Sequence, residues 1–239
     1  MNKIAFVDIE TNGSSYSNDE IIEVGILIYQ DGKLKETYNQ LFKAIPSFIQ
    51  NLTGIKPSML SQQPRFKMQA RTIYDLIKDA TFVAHNVGFD YNFLKHHLGV
   101  HGFNLNTDKL CSIQVSKQLF PNAKKHNLDA VINNLNIAID NDRRHRALGD
   151  CEVIFKLWTE FENQFADTDI NKFVNRFKQN KLHTKVVEQI KKAPRKTGVY
   201  KFFINQKCLI VGRSKNLHNR VKQIFYKANR SDKKQIYST

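Results

Sequence analysis

Lys3-Ile4-Ala5-Phe6-Val7-Asp8-Ile9-Glu10 is a short apolar run that closes on two carboxylates two positions apart. The run has the length and composition of a buried β-strand. Side chains at i and i+2 leave the same face of a strand, so Asp8 and Glu10 can reach one point in space. Like charges held that close repel unless something positive lies between them. A hard divalent cation with oxygen ligands meets that need. The competing interpretation of the dipeptide alone is a strand end whose acids face water.

Working outward, Ile21–Tyr29 is rich in β-branched residues. It is followed by an Asp31-Gly32 turn and a second run around Tyr38–Phe42, the pattern of a hairpin. Short helices are expected at Thr53–Leu60, with Pro57 in the first turns, and at Phe66–Ala80, where Phe66, Ile73, Leu76 and Ile77 recur with helical spacing. Thr81–His85 reads as a buried strand and about Gly88 to Leu98 as a helix. Lys109–Phe120, Asn127–Asn134 and His145–Phe165 read as further helices. Strands first, then strands alternating with helices, predict an α/β fold in which helices flank a mixed sheet.

Charge divides the chain. Residues 1–164 carry 18 basic and 18 acidic side chains, whereas the last 75 carry 19 basic ones against Asp167, Asp169, Glu188 and Asp232, so the whole net charge of +15 lies there. Normal apolar content and 17 Phe exclude a disordered chain. The N-terminal apolar stretch is too short and too acidic in its flank for a signal peptide, and no run approaches a membrane span. Cys111, Cys151 and Cys208 form neither a disulfide framework nor a zinc spacing. A cytoplasmic protein is the expectation.

Two later acids lie in telling contexts. Asp90 ends Asn86-Val87-Gly88-Phe89-Asp90, where a strand turns into a helix, and Asp150 follows His145 by five residues near the start of a long helix. Each acid alone could be a helix N-terminal charge or a surface residue. Together with Asp8-Ile9-Glu10 they resemble the three motifs of the DEDDh (DnaQ-like) 3′–5′ exonucleases, the group that includes the proofreading epsilon subunit of DNA polymerase III. Thr11 and Gly13 also match the first motif, with Asn12 where Thr is commoner; His145, with Arg146 where the tyrosine branch has its Tyr, assigns the histidine branch. The resemblance covers about residues 1–165 and implies a ribonuclease H-like fold. It also implies that Asp8, Glu10, Asp90 and Asp150 hold two Mg²⁺ or Mn²⁺ ions and that His145 is the general base. Thr11 and Asn12 are expected to contact the terminal nucleotide and Asn86 to orient its loop. Phe89 is a candidate base-stacking residue, with core packing the favoured alternative, and His85, His96, His97 and His101 are expected to be structural.

Beyond residue 165, positions 166–196 read as a basic helical linker. Residues 197–239 carry Gly198-Val199-Tyr200, Ile210-Val211-Gly212 and Arg220, which resemble the start of a GIY-YIG nuclease module of the excision-repair type. Ile210 stands where that family has its second Tyr, and no Glu follows Arg220 to hold the family's metal ion. The expectation is a partial, truncated α+β module, with Tyr200 and Arg220 as its site candidates, that binds a phosphate backbone without cutting it. The expected activity is removal of nucleotides from 3′ ends of DNA, in proofreading or repair. Single-stranded DNA ends are the expected partner, with the polymerase III core as a further one. An RNA-trimming exonuclease and a non-catalytic nucleic-acid-binding polymerase accessory module are the alternatives.

Overall fold

The computed structural model describes residues 3–44, 53–139, 141–165, 184–204 and 207–227. The chain divides into two compact units, Met1–Lys178 and Gln179–Thr239.

In the first unit β1 (Ile4–Thr11), β2 (Ile21–Gln30) and β3 (Lys33–Leu41) form an antiparallel meander. The turn between β2 and β3 is Asp31-Gly32, both at positive φ (53° and 74°), as a two-residue hairpin matched to strand twist requires. After the short α1 (Pro57–Leu60) and α2 (Phe66–Ile77), β4 (Thr81–Ala84) pairs parallel to β1. Then α3 (Gly88–Val100) leads to β5 (Lys109–Cys111), parallel to β4 at the sheet edge. The order is β3-β2-β1-β4-β5, a mixed five-stranded sheet with β1 in the centre. Three helices follow: α4 (Ser112–Leu119), α5 (Leu128–Asn134) and α6 (Ala147–Gln164), with a 3₁₀ turn at Asn141–Arg143 before α6.

Alternation along β1 sorts the two faces. Ala5, Val7 and Ile9 enter a core shared with Ala70, Ile73 and Ile77 of α2 and Phe93 and Leu94 of α3. Ile4 and Phe6 enter the opposite core with Val115, Val131, Ile154, Leu157 and Trp158, from α4, α5 and α6. Asp8 and Glu10 continue that second face, so the carboxylates begin where its apolar surface ends.

Several expected helices differ in extent. Lys109–Phe120 opens with three strand residues, because Lys109, Leu110 and Cys111 pair with Phe82, Val83 and Ala84 before the helix starts at Ser112. The helix expected from His145 starts at Ala147, because His145 has φ 60° and Arg146 is extended. The α1 helix is likewise shorter than expected, its described turn beginning at Pro57.

In the second unit, α7 (Thr184–Lys192) precedes an antiparallel hairpin of β6 (Gly198–Ile204) and β7 (Lys207–Ser214), then α8 (Leu217–Lys227). The rest of the expected linker, 166–183, and the segment 228–239 lie outside the described residues. No helix among the described residues is long and apolar enough to cross a membrane.

Candidate active site

The central strand supplies the first two acids and two helix N-termini supply the others. β1 pairs with β4 only from Ile4 to Phe6, so the Ile9 N–H lies beyond the end of β4. It donates instead to Asp90 Oδ1, at 3.3 Å, which fastens the first turn of α3 to the strand. Asp150 lies in the first turn of α6. Two glycines let that turn approach. Gly25 stands opposite Asp8 on β2, and a Cβ there would run into the Ala147 backbone; its carbonyl accepts from Cys151 Sγ at 3.2 Å. A Cβ on Gly149 would collide with the Arg143 carbonyl oxygen.

Asp8, Glu10 and Asp150 each bring an oxygen to within 4.8 Å of the others. The electrostatic consequence is large. Burial first, then Asp90, Glu10 and Asp150, raise Asp8 well above the usual carboxylate range. Burial and then Asp150 and Glu23 push Glu10 up to about 9, and burial pushes Asp90 up to about 7. Asp150 is raised by burial against the opposing pull of Arg144. Hard oxygen donors that resist ionising together are what a divalent cation relieves, so these residues fit such an ion.

Asn86, at φ 62°, makes the left-handed turn from β4 into α3, and its carbonyl accepts from Phe89 N at 3.0 Å. Phe89 is half-buried with its ring 4.8 Å from that of Phe93, so it packs on the core. Thr11 Oγ1 donates to the Gly13 carbonyl at 2.5 Å, and Asn12 Oδ1 accepts from Glu20 N at 2.6 Å. Both side chains thereby close the loop between β1 and β2. The remaining histidines have structural partners. His85 Nδ1 lies 2.9 Å from Ser112 Oγ, and burial and Arg144 lower its pKa to about 4. His97 Nε2 lies 3.1 Å from the Asp19 carbonyl oxygen; His96 packs against Tyr16 and His101 stacks on Phe66.

Sequence reasoning missed two features. Arg144 Nη1 reaches both Asp150 oxygens, at 2.7 and 2.5 Å, while Nε and Nη2 hold Asp129 Oδ1 at 3.0 and 2.8 Å. Nothing in the Arg143-Arg144-His145-Arg146 run marks which cation turns inward. Glu23, fully buried, receives Arg146 Nε and Nη2 at 2.9 and 2.8 Å and Ala147 N at 3.2 Å. Its signal was available, since an acid inside an otherwise apolar strand needs a partner.

Residues 5–158 match the family model RNase_T, described as exonuclease. The chain belongs to this exonuclease family. The 3′-5′ exonuclease DinG of Staphylococcus epidermidis (strain RP62A) is 36% identical over 172 residues, 69% of this chain and 19% of that protein. The protein of the same name from Staphylococcus aureus (strain USA300) has the same identity and coverage. The chain thus spans about a fifth of the length of these curated relatives. Among solved structures, Exonuclease X in complex with 5′ overhanging duplex DNA aligns with a TM-score of 0.52 at 21% identity, over 69% of this chain and 92% of that one. E. coli Exonuclease I in complex with a dT13 oligonucleotide aligns with a TM-score of 0.61 at 14% identity, over 84% of this chain and 48% of that one. At these identities the structural likeness is one of fold, and it places the exonuclease domain among ribonuclease H-like sheets.

Tyr200 and Arg220 belong to the second unit and meet there: Arg220 Nε donates to Tyr200 Oη at 3.3 Å. Gly212 stands opposite Tyr200 on the hairpin, where a Cβ would strike the phenol ring.

Proposed function

We propose that this chain is a metal-dependent 3′–5′ exonuclease that removes nucleotides from the 3′ ends of DNA in the cytoplasm, in proofreading or repair. The observation that carries this reading is the convergence of Asp8, Glu10 and Asp150 within an exonuclease domain. Asp8, Glu10, Asp90 and Asp150 would hold two Mg²⁺ or Mn²⁺ ions. Such ions supply Lewis-acid activation of water and neutralise charge on the scissile phosphodiester. His145 takes the proton from the attacking water; Thr11 and Asn12 shape the loop that receives the terminal nucleotide, and Asn86 sets the turn that presents Asp90. Without cations the carboxyl cluster supplies no positive charge to hold a phosphate, so the polyanion enters only a loaded site.

The second unit is proposed to hold nucleic acid without cutting it. Its cationic excess favours a phosphate backbone. The Tyr200–Arg220 contact favours its resemblance to a partial GIY-YIG module. A polymerase III core remains a proposed partner.

The test is incubation with Mg²⁺ or Mn²⁺ and 5′-labelled single-stranded DNA, 5′-labelled single-stranded RNA and closed circular plasmid. A ladder shortening from the 3′ end of DNA is expected. Shortening of RNA alone would transfer the activity to RNA trimming, nicking of the circle would assign cleavage to the second unit, and an inert protein would leave a binding module.

A further inference from the structure

We infer that Arg144 is a positioning residue that competes with the divalent cation for Asp150, with Asp129 as the anchor that lets it yield. This rests on the metal-dependent reading above. Arg144 Nη1 lies 2.7 and 2.5 Å from the two Asp150 oxygens, close to the bisector of the carboxylate. A cation chelated by both oxygens needs that same position. An ion shared among Asp8, Glu10 and Asp150 therefore has two routes. It would be held by one Asp150 oxygen beside the guanidinium, or it would displace Nη1.

Displacement does not require the side chain to leave. Nε and Nη2 are bonded to Asp129 Oδ1 at 3.0 and 2.8 Å, and a guanidinium divides its donors along two edges. Arg144 is only 16% exposed, while Asp129 is 61% exposed, so the anchor stands at the solvent edge and the competitor points inward. The same Nη1 approaches His145 Nδ1 at 3.4 Å, so its withdrawal is felt at the proposed base as well. The arrangement aims the Asp150 carboxylate while limiting how tightly an ion is held.

The experiment is a titration of the full-length chain with Mn²⁺, followed by the electron paramagnetic resonance of free Mn²⁺, for wild type, Arg144→Gln, Arg144→Lys and Asp129→Asn. Losing a group that supports a metal ligand from one layer behind ordinarily costs about ten- to a hundredfold in metal affinity, so a gain on removing Arg144 marks a competitor and not a support. Arg144→Gln, which removes a positive charge beside the ion, is expected to bind Mn²⁺ roughly tenfold more tightly, and Arg144→Lys, which keeps the charge, to stay nearer wild type. Asp129→Asn is expected to bind several-fold more weakly, because the guanidinium then has Asp150 as its remaining carboxylate partner. Circular dichroism checks the fold of each, and the exposed Asp129 makes its variant the safer of the two. Unchanged or weaker binding in Arg144→Gln, or unchanged binding in Asp129→Asn, would overturn the inference while leaving the exonuclease intact. A wild-type chain that binds no Mn²⁺ would overturn both it and the metal-dependent reading.

Discussion

Glu23 lies directly across the β1–β2 ladder from Glu10, and two hydrogen bonds from Arg146 neutralise it. Two carboxylates on one face of adjacent strands would otherwise oppose folding. The pair with Arg146 leaves Glu10 as the acid directed to the proposed metal site. Arg146→Met is expected to destabilise the exonuclease domain by about 3 kcal/mol, because it strands a buried charge. Adding Glu23→Gln should restore most of that loss. Urea melts of the single and double variants check this; equal stability of the two would refute it.

Asp8 feels the charge of Asp90, Glu10 and Asp150 together. Asp8→Asn preserves its shape and removes its charge, and should lower the rate of 3′-nucleotide release by about 10²–10³-fold or more, since metal-derived charge stabilisation amounts to several kcal/mol. Single-turnover assays at saturating Mg²⁺ measure it, and residual activity near wild type would remove Asp8 from the site.

His145, the proposed general base, has an unfavourable backbone. Its φ of 60° costs a non-glycine residue about 1–2 kcal/mol. His145→Gly and His145→Ala should both lower kcat, by about 10²–10⁴-fold for a lost general base. The glycine variant should nevertheless be more stable than the alanine variant by about 1 kcal/mol. Identical melting temperatures would mean that the strain is not held in solution.

The acidic cluster also predicts how stability depends on pH when metal is chelated. Glu10 at about 9 and Asp90 at about 7 stand above their ordinary values of 4.5 and 3.8. The folded state therefore holds these protons more tightly than the unfolded one. Their contribution is complete below about pH 4 and is lost as pH rises through about 7 and then about 9. His85, lowered to about 4, acts in the opposite sense below about pH 6.5, so the clean window lies above that. In EDTA the Tm should fall between pH 6.5 and 9, less steeply in Glu10→Gln, and Mg²⁺ should restore more at pH 9 than at pH 6.5. A flat profile in EDTA would contradict the coupled cluster.

Gly149→Ala sets two effects against each other. Alanine favours the α6 helix by up to about 1 kcal/mol, but its Cβ meets the Arg143 carbonyl oxygen, and overpacking costs about 1–3 kcal/mol. Net destabilisation with a loss of Mn²⁺ affinity is expected, since the first turn of α6 must move with Asp150. Calorimetry and Mn²⁺ titration report the two parts separately.

Much of this was legible from local pattern. The Asp8-Ile9-Glu10 spacing announced two acids on one face, and Asp31-Gly32 announced its hairpin, because both depend on backbone periodicity over a few residues. The strand at Lys109–Cys111 was hidden. Three residues carry no periodicity of their own, and their conformation comes from β4, more than twenty residues earlier. Arg144 was hidden for a related reason: whether a cation turns inward is decided by its partners Asp129 on α5 and Asp150 on α6. Glu23 interrupts an apolar strand, and its partner could have been sought in the basic run at 143–146.

The placement of α6 at the end of the exonuclease domain has a consequence for synthesis. A nascent chain that has emerged only through β5 already carries Asp8, Glu10 and Asp90, but the fourth carboxylate arrives with α6, whose docking needs the gap at Gly25. If the proposed four-carboxylate site is what cuts, a growing polypeptide surrounded by nucleic acid on the ribosome lacks a complete site until nearly the whole domain has been made.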